Sequence, residues 1–157
     1  MSGARLSIVI QDTCPSESKP SEDELRSWVG SALDGDIGGE LTLRIVAETE
    51  SAELNSRYRG ARGPTNVLAF PAQPDLPTAD DELPPLGDLV ICAPVIAREA
   101  ASQGKPPEAH WAHIVIHGVL HLVGYDHDSE PHAERMEDRE RALLDSFGVP
   151  DPYRQHP

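Results

Sequence analysis

Three histidines in the second half of the chain have a spacing that suits a metal site. His117, His121 and His127 follow the pattern H-x3-H-x5-H, with Gly124 between the last two. A step of four residues places His117 and His121 on one face of a helix. Gly124 can adopt a positive φ, so it is suited to end that helix and let the chain fold back. Three neutral imidazoles with a fourth position open to water are typical of catalytic Zn²⁺, which acidifies that water. The spacing therefore predicts a metal site held by the three histidines.

The same spacing occurs in the metzincin signature H-E-x-x-H-x-x-G-x-x-H of zinc peptidases, with one departure. The glutamate that serves those peptidases as general base is replaced by Gly118. The ligand pattern is retained while the peptidase base is missing, which weakens the alternative of a zinc peptidase. A second alternative is that the histidines are ordinary core or surface residues. It is weakened because five of the chain's seven histidines lie between His110 and His127.

The length and composition suit one small domain. The 157 residues contain no linker or internal repeat that would divide them. No apolar run approaches membrane-spanning length, and the N-terminal residues lack the apolar core of a signal peptide. Cys14 and Cys92 suggest no disulfide framework and have no Cys or His neighbour at zinc-finger spacing. We therefore expect a soluble, cytoplasmic, single domain over residues 1–157, with 149–157 as a loose tail.

The charge of the chain is strongly negative and unevenly distributed. A formal net charge of −14 argues against a general nucleic-acid binder, because such binding rests on Lys and Arg neutralising phosphates. The loop 71–85 carries four acidic residues and no basic one. In contrast, Arg57, Arg59 and Arg62 lie in the segment 55–70, which has no acidic residue. A local anion site can therefore coexist with an acidic protein.

The apolar pattern predicts the order strand, helix, strand, helix, strand, strand and three helices. The predicted strands are Leu6–Ile10, Leu41–Ala47, Asn66–Phe70 and Leu86–Cys92, and the predicted helices cover about 21–33, 51–58, 94–104, 107–123 and 130–147. Ser21 and Glu24 have the spacing of a capping box that opens the first of these helices. The fourth helix, which carries the histidines, is apolar on nearly all sides, so it should be central and buried. This order predicts a single α+β domain: a small mixed four-stranded sheet covered by helices, with a zincin-like metal site on a central helix.

Three segments together resemble the YbeY family of bacterial rRNA-maturation endoribonucleases. They are the stretch Leu54–Pro71 (LNSRYRGARGPTNVLAFP), the strand Leu86–Ile91 with its Gly87-Asp88 pair, and the stretch His113–His127 with the acidic helix that follows it. The resemblance extends from about Leu41 to Gly148, which is most of the chain. It implies a small α+β fold, one Zn²⁺ per chain held by three histidines, and cleavage of single-stranded RNA.

The resemblance also implies a biological role and the residues that carry it. The role is ribosomal RNA processing, notably maturation of the 16S rRNA 3′ end, together with ribosome quality control. The implied partners are ribosomal RNA and the ribosome, with ribosomal or ribosome-assembly proteins as further candidates, and no membrane. His117, His121 and His127 would be the zinc ligands, and Arg59 would be the arginine needed for RNA cleavage. Asn66 and Ala69 depart from the Asp and Ser that many members carry at these positions.

Arg59 is the candidate catalytic residue. Its planar, permanently charged guanidinium suits a phosphate or a developing phosphorane anion, and Arg57 and Arg62 lie beside it. We expect water or a 2′-hydroxyl to attack the phosphodiester, with zinc and Arg59 stabilising the added negative charge. The remaining alternative is a non-catalytic ribosome-biogenesis factor whose zinc is structural. Structural zinc sites usually have four protein ligands, and the sequence offers no convincing fourth.

Other polar residues near the motif could hydrogen-bond to a ligating histidine and orient its ring without binding the metal themselves. His113, one turn before His117, is interpreted as a hydrogen-bonded structural histidine. Asp126 and Asp128 flank His127, and Asp88 lies near the start of the fourth strand. Any of these carboxylates could orient an imidazole. The sequence does not select one of them.

Overall fold

The computed structural model describes residues 5–15, 18–33, 38–72, 83–125 and 128–153. Its strands are β1 (Leu6–Asp12), β2 (Gly39–Val46), β3 (Val67–Pro71) and β4 (Pro85–Cys92). Its helices are α1 (Glu22–Ala32), α2 (Glu48–Arg59), α3 (Ala93–Gln103), α4 (Pro107–Leu122) and α5 (Glu130–Ser146). This order and these approximate bounds confirm the predicted elements. Most of the acidic loop 71–85 lies outside the described residues.

The four strands form one mixed sheet in the order β1-β2-β4-β3. β1 pairs in parallel with β2, and β2 in parallel with β4, whereas β3 pairs antiparallel with β4. Parallel neighbours need a crossover connection, and α1 supplies it between β1 and β2. At Gly87 (φ 137°) an added Cβ would lie 2.4 Å from the carbonyl oxygen of Phe70, so a residue without a side chain is required. The structure is the predicted α+β domain with a small mixed sheet.

Local signals in the sequence set the ends of the helices. Ser21 and Glu24 form the predicted capping box at the start of α1, in which each side chain accepts a hydrogen bond from the other's backbone amide. Gly60 follows α2 in the left-handed conformation (φ 65°), which glycine adopts without steric cost. Arg59 is therefore the last residue of α2, at the point where the chain turns toward β3.

The helix α4 is the centre of the fold, as predicted. It packs against α1, α3, α5, β3 and β4. Between residues 110 and 122 the three residues that are not buried are His113, His117 and His121. A four-residue spacing puts these three on one face, so the apolar helix leaves a single strip of imidazoles at the surface of the core.

Gly118 lets α4 approach the sheet closely. A Cβ at this position would lie 3.0 Å from Cγ2 of Val67 and 3.1 Å from Cδ2 of Leu89. The position is buried, and its missing side chain would point toward β3 and β4. The residue that stands in place of the peptidase glutamate is therefore a packing residue, and even a methyl group there would require Val67 and Leu89 to shift by a few tenths of an ångström.

The segment 149–153 is held in place by contacts, in contrast to the loose tail predicted from the sequence. Val149 packs against the core, and Nε of Arg141 donates a hydrogen bond to Oδ2 of Asp151 at 3.1 Å. The hydroxyl of Tyr153 donates to Glu140 on α5. Residues 154–157 of the predicted tail lie outside the described part of the chain. Among the described residues no helix has the length and apolar character to cross a membrane.

Candidate metal centre and active site

The histidine face of α4 lines a cavity of about 290 Å³. Besides Ile114 and Gly118 of the same helix, the lining residues are His113, His117 and His121 from α4, Arg59 from α2, Thr65, Asn66, Val67 and Ala69 from β3 and the residues before it, and Tyr153 from the C-terminal segment. Two predicted zinc ligands and the predicted catalytic arginine therefore share one cavity. His127 and Asp126 lie outside the described residues, so the role of His127 as third ligand stays a prediction.

The ring of His117 is oriented by a carboxylate on another helix. Its Nδ1 is hydrogen-bonded to Oε1 of Glu140 on α5. An ionised carboxylate can only accept, so Nδ1 carries the hydrogen and donates it. In the neutral ring the lone pair is then on Nε2. This is the arrangement that metal-binding histidines commonly have, with one nitrogen on the metal and the other donating to an acceptor.

The ring of His121 has the same tautomer for a different reason. Its Nδ1 lies 3.1 Å from the backbone carbonyl oxygen of Tyr125, which can only accept a hydrogen bond. Tyr125 is brought back to the end of α4 by Gly124, whose φ is 110°, and the amide of Tyr125 donates to the carbonyl of Leu120 at 3.0 Å. The predicted turn at Gly124 is thus confirmed. It places the lone pair of a second neutral imidazole on Nε2.

Glu140 is completely buried and accepts hydrogen bonds on both oxygens. Oε1 accepts from His117, and Oε2 accepts from the hydroxyl of Tyr153 and lies 3.5 Å from Nε2 of His113. Burial by itself raises the pKa of the Glu140 carboxyl. Hydrogen bonds from His113, His117 and Tyr153, together with the positive charge that His117 carries when its ring is protonated, outweigh burial and lower the pKa to about 2. Burial and the bond to Glu140 raise the pKa of Tyr153. The pair is therefore a carboxylate and a neutral phenol.

A second set of potential ligands overlaps the predicted one. His113, His117 and Glu140 offer ligand atoms that all lie within 4.8 Å of one another. In His113, Nε2 faces Glu140 and the Tyr153 hydroxyl (3.4 Å), while the buried Nδ1 has no hydrogen-bond partner among the described residues. An unpartnered lone pair is tolerated more easily than an unpartnered N–H, so Nε2 carries the hydrogen of His113. The hydrogen bonds of His113 agree with the structural role predicted for it.

Sequence reasoning missed Glu140 and Tyr153. A signal for Glu140 is present, because it lies four residues after Met136 and three before Leu143, on the face of α5 that is buried. A carboxylate on such a face is rare unless it has partners. Of the aspartates that were considered instead, Asp88 lines a different groove, on the α2 side of the sheet, and Asp128 pairs with His132 at 2.7 Å.

The arginines are not equivalent. All three of Arg57, Arg59 and Arg62 are exposed, but Arg59 alone appears among the described residues that line the histidine cavity. Asn66, on the same cavity wall, donates from its amide nitrogen to Glu99 at 3.1 Å, and Glu99 also contacts Nε2 of His110 at 2.9 Å. The cavity thus combines imidazoles, one guanidinium and a neutral amide, which suits an anionic ligand beside a metal.

The fold and the cavity together define a small α+β protein with a candidate metal centre on its central helix, and the comparisons with known proteins give the family. Residues 12–148 match the family model described as endoribonuclease YbeY. A protein of that name from Halorhodospira halophila is 52% identical over 141 residues, covering 88% of this chain and 90% of its own length. One from Nitrosococcus oceani is 49% identical over 150 residues, covering 94% and 97%.

A solved structure has the same fold. The solution structure of a Thermotoga maritima protein is 26% identical, with a TM-score of 0.53, and the match covers 94% of this chain and 99% of that one. The chain belongs to the endoribonuclease YbeY family. This membership confirms the resemblance found in the sequence, and it makes the protein an enzyme of the endoribonuclease class, whose members are hydrolases acting on RNA.

Proposed function

We propose that the protein is a zinc-dependent endoribonuclease that cleaves single-stranded RNA at the histidine cavity. The observation that carries the proposal is the pair of oriented imidazoles. His117 and His121 each donate from Nδ1 to an acceptor, and both line the cavity that Arg59 also lines. This common tautomer suits two ligands of one metal. Membership of an endoribonuclease family supplies the reaction class.

The residues that would hold the metal are His117, His121 and His127. Three neutral imidazoles are a donor set that Zn²⁺ prefers, and a three-ligand set leaves a position for a substrate or water. When bound, Zn²⁺ supplies Lewis acidity and makes a water molecule a stronger acid near neutral pH. The role of His127 rests on the H-x3-H-x5-H spacing.

Arg59 would bind the scissile phosphodiester. Its guanidinium donates to nonbridging phosphate oxygens and stabilises the charge that develops when the phosphorus is attacked. Asn66, on the neighbouring wall, adds a polar group whose amide is already fixed by Glu99. The attacking group is a water molecule or a 2′-hydroxyl. The glycine at position 118 excludes the glutamate base of the zinc peptidases, which favours the ribonuclease over that alternative.

The substrate we propose is ribosomal RNA. By resemblance to the family, the protein would act in 16S rRNA 3′-end maturation and in ribosome quality control. Its partners would be the ribosome and ribosomal or ribosome-assembly proteins, and its place the cytoplasm. The acidic character of the chain, with a net charge of −14, fits a nuclease that reaches its RNA through a local arginine site rather than a broad basic surface.

Cleavage of a single-stranded fragment carrying the 16S 3′ end tests this function. We expect the wild type to cleave it, and both His121→Ala and Arg59→Ala to lose at least about 100-fold in rate, since the first removes a ligand of the metal and the second removes the guanidinium, and each of these two cations stabilises the developing charge. Arg57→Ala is the matched control, because Arg57 is exposed on the same helix and is not among the described lining residues. It should keep nearly full activity.

Metal content and circular dichroism of each preparation complete the experiment. His121→Ala should be folded and depleted of zinc, whereas Arg59→Ala should be folded and retain it. Equal cleavage by all four proteins would indicate a contaminating nuclease and contradict the proposed site. Loss of folding on metal removal, combined with an Arg59→Ala variant that keeps its effect on ribosome maturation, would favour the non-catalytic factor with a structural zinc.

A further inference from the structure

Glu140 is a buried carboxylate that is not one of the three proposed metal ligands. It lies on α5 with 0% exposure, among Met136, Leu143 and Leu144. A carboxylate in such surroundings is costly unless hydrogen bonds compensate for the lost water. An apolar residue at this position would continue the core without that cost. Its presence therefore calls for a role in the polar cluster that it joins.

The contacts of Glu140 indicate what that role is. Both oxygens accept hydrogen bonds, from Nδ1 of His117 and from the hydroxyl of Tyr153. The carboxylate thus faces the back of the His117 ring, on the side away from Nε2, and Tyr153 holds its second oxygen. Tyr153 is itself packed between the ring of His113 and the guanidinium of Arg141.

We propose that Glu140 is a positioning residue for the metal centre. By accepting from Nδ1 of His117 it holds that ring in one tautomer and one orientation, with Nε2 available as the ligand atom, and Tyr153 fixes the carboxylate in turn. The inference rests on the proposed function, since it takes His117 as a metal ligand. It assigns Glu140 to orienting a ligand rather than to binding the ion through the His113–His117–Glu140 group.

The tautomer of His117 in the metal-free protein provides a direct test. Nitrogen-15 NMR of the imidazole rings should give the Nδ1–H form for His117 in the wild type. In Glu140→Gln that preference should weaken, because a neutral amide is a poorer acceptor than a carboxylate. Glu134→Gln is the matched control, since Glu134 is an exposed carboxylate on the same helix. It should leave the His117 spectrum unchanged.

Metal affinity provides the second measurement. Glu140→Gln should bind Zn²⁺ about 10- to 100-fold more weakly than the wild type, as for other residues that orient metal ligands. Absorption spectra of the Co²⁺-substituted protein should show altered bands with the three-histidine coordination retained. The thermal midpoint of the metal-free variant measures its structural contribution separately. Tyr153→Phe keeps the Glu140 carboxylate and should give a smaller loss of Zn²⁺ affinity. If Glu140→Gln does not fold, Tyr153→Phe tests the positioning role in its place.

The outcomes separate this inference from the proposed function. Wild-type affinity and an unchanged His117 tautomer in Glu140→Gln, or in Tyr153→Phe alone if the first variant is unfolded, would overturn the positioning role only. Absence of zinc binding by the wild type, or its retention in His121→Ala, would overturn the proposed ligand set. Loss of all metal in both Glu140→Gln and His113→Ala, with His121→Ala unaffected, would identify the His113–His117–Glu140 group as the site and overturn both.

Discussion

At the scale of single residues, the acceptor bound by one ring nitrogen determines what the other nitrogen can do. His117 donates to a carboxylate and His121 to a backbone carbonyl, and both are left with a lone pair on Nε2. His110, on the same helix, donates from Nε2 to Glu99, and its buried Nδ1 has no hydrogen-bond partner in the part of the chain that the structure describes. The same side chain on one helix therefore serves as a candidate ligand or as a core residue, depending on its neighbours.

The buried ring of His110 makes a prediction for the pH dependence of stability. Burial lowers the pKa of His110; Glu99 acts in the opposite direction, and His113 and Lys105 add to the lowering. The unfolded chain therefore binds a proton near pH 6.5 that the folded protein binds only at lower pH. The free energy of unfolding should fall as the pH falls below about 6.5, by at most about 1.4 kcal/mol per pH unit from this group.

Denaturant unfolding of the metal-free protein at about pH 7.5 and about pH 5.5 measures this dependence. His110→Gln keeps a donor for Glu99 and has no titratable ring, so it should lose less stability than the wild type between the two pH values. An equal loss in both proteins would mean that other groups account for the whole pH dependence. A wild type that becomes more stable at the lower pH would contradict the stated direction.

At the scale of elements, α4 combines two requirements in one helix. Its buried residues pack against three helices and two strands, while every fourth residue from His113 to His121 faces the cavity. Gly118 belongs to the packed part, where an added Cβ would meet Val67 and Leu89. The distance between this helix and the sheet is thus set by the absence of a side chain, and that distance also places the imidazoles beside β3.

Substitution of Gly118 by alanine tests this close approach. Alanine is favoured over glycine inside a helix by about 1 kcal/mol, but here its Cβ would press against two side chains. Gly30, in α1, is the matched control because nothing lies within 4 Å of a Cβ there. Gly30→Ala should be more stable than the wild type by about 0.5–1 kcal/mol, and Gly118→Ala less stable than Gly30→Ala by about 1–3 kcal/mol.

Urea denaturation of both variants gives the comparison. Equal stabilisation by the two alanines would show that α4 can move away from the sheet at no cost. Gly118→Glu extends the test, since it restores the peptidase-like motif in the sequence. We expect it to unfold more readily than Gly118→Ala by at least about 2 kcal/mol and to gain no peptidase activity, because its carboxylate would be directed into the apolar contact with β3 and β4.

At the scale of the whole molecule, the cavity is assembled from distant parts of the chain. Arg59 ends α2, Asn66 precedes β3, the histidines lie on α4, and Tyr153 comes from beyond α5. One arginine within this assembly provides positive charge at the cavity of a protein whose net charge is −14. The sequence predicted a loose tail for the C-terminal segment, whereas its Tyr153 lines one side of the cavity.

Two C-terminal deletions test the contribution of that segment. Removal of 151–157 deletes Tyr153 and its hydrogen bond to Oε2 of the buried Glu140, so that Nε2 of His113, at 3.5 Å, is the remaining donor beside that oxygen. Loss of a hydrogen bond to a charged group costs about 1.5–3 kcal/mol, and the lost Arg141–Asp151 pair adds about 0–1 kcal/mol. Removal of 154–157 keeps both contacts and is the control. Thermal unfolding should give a lower midpoint for the longer deletion alone; equal midpoints would mean that the segment does not stabilise the fold.

Much of the protein could be predicted from its sequence because the relevant signals are local. Helix and strand periods, the Ser21–Glu24 capping box and the turn at Gly124 depend on residues a few positions apart, and the structure confirms them. The H-x3-H step predicts two imidazoles on one helix face by the same kind of reasoning, and both line the cavity. Family membership followed from short motifs of this type.

Only the tertiary structure decided which polar residue stands behind His117. Glu140 follows it by 23 residues and reaches it because α5 packs against α4; nothing local distinguishes it from the other acids of that helix except its place on the buried face. The packing of whole elements also places Tyr153 against Glu140, and it places Asp88 in a groove on the other side of the sheet. Local spacing determines which side chains share an element, whereas hydrogen bonds between elements depend on the packing of the whole chain, which spacing alone does not specify.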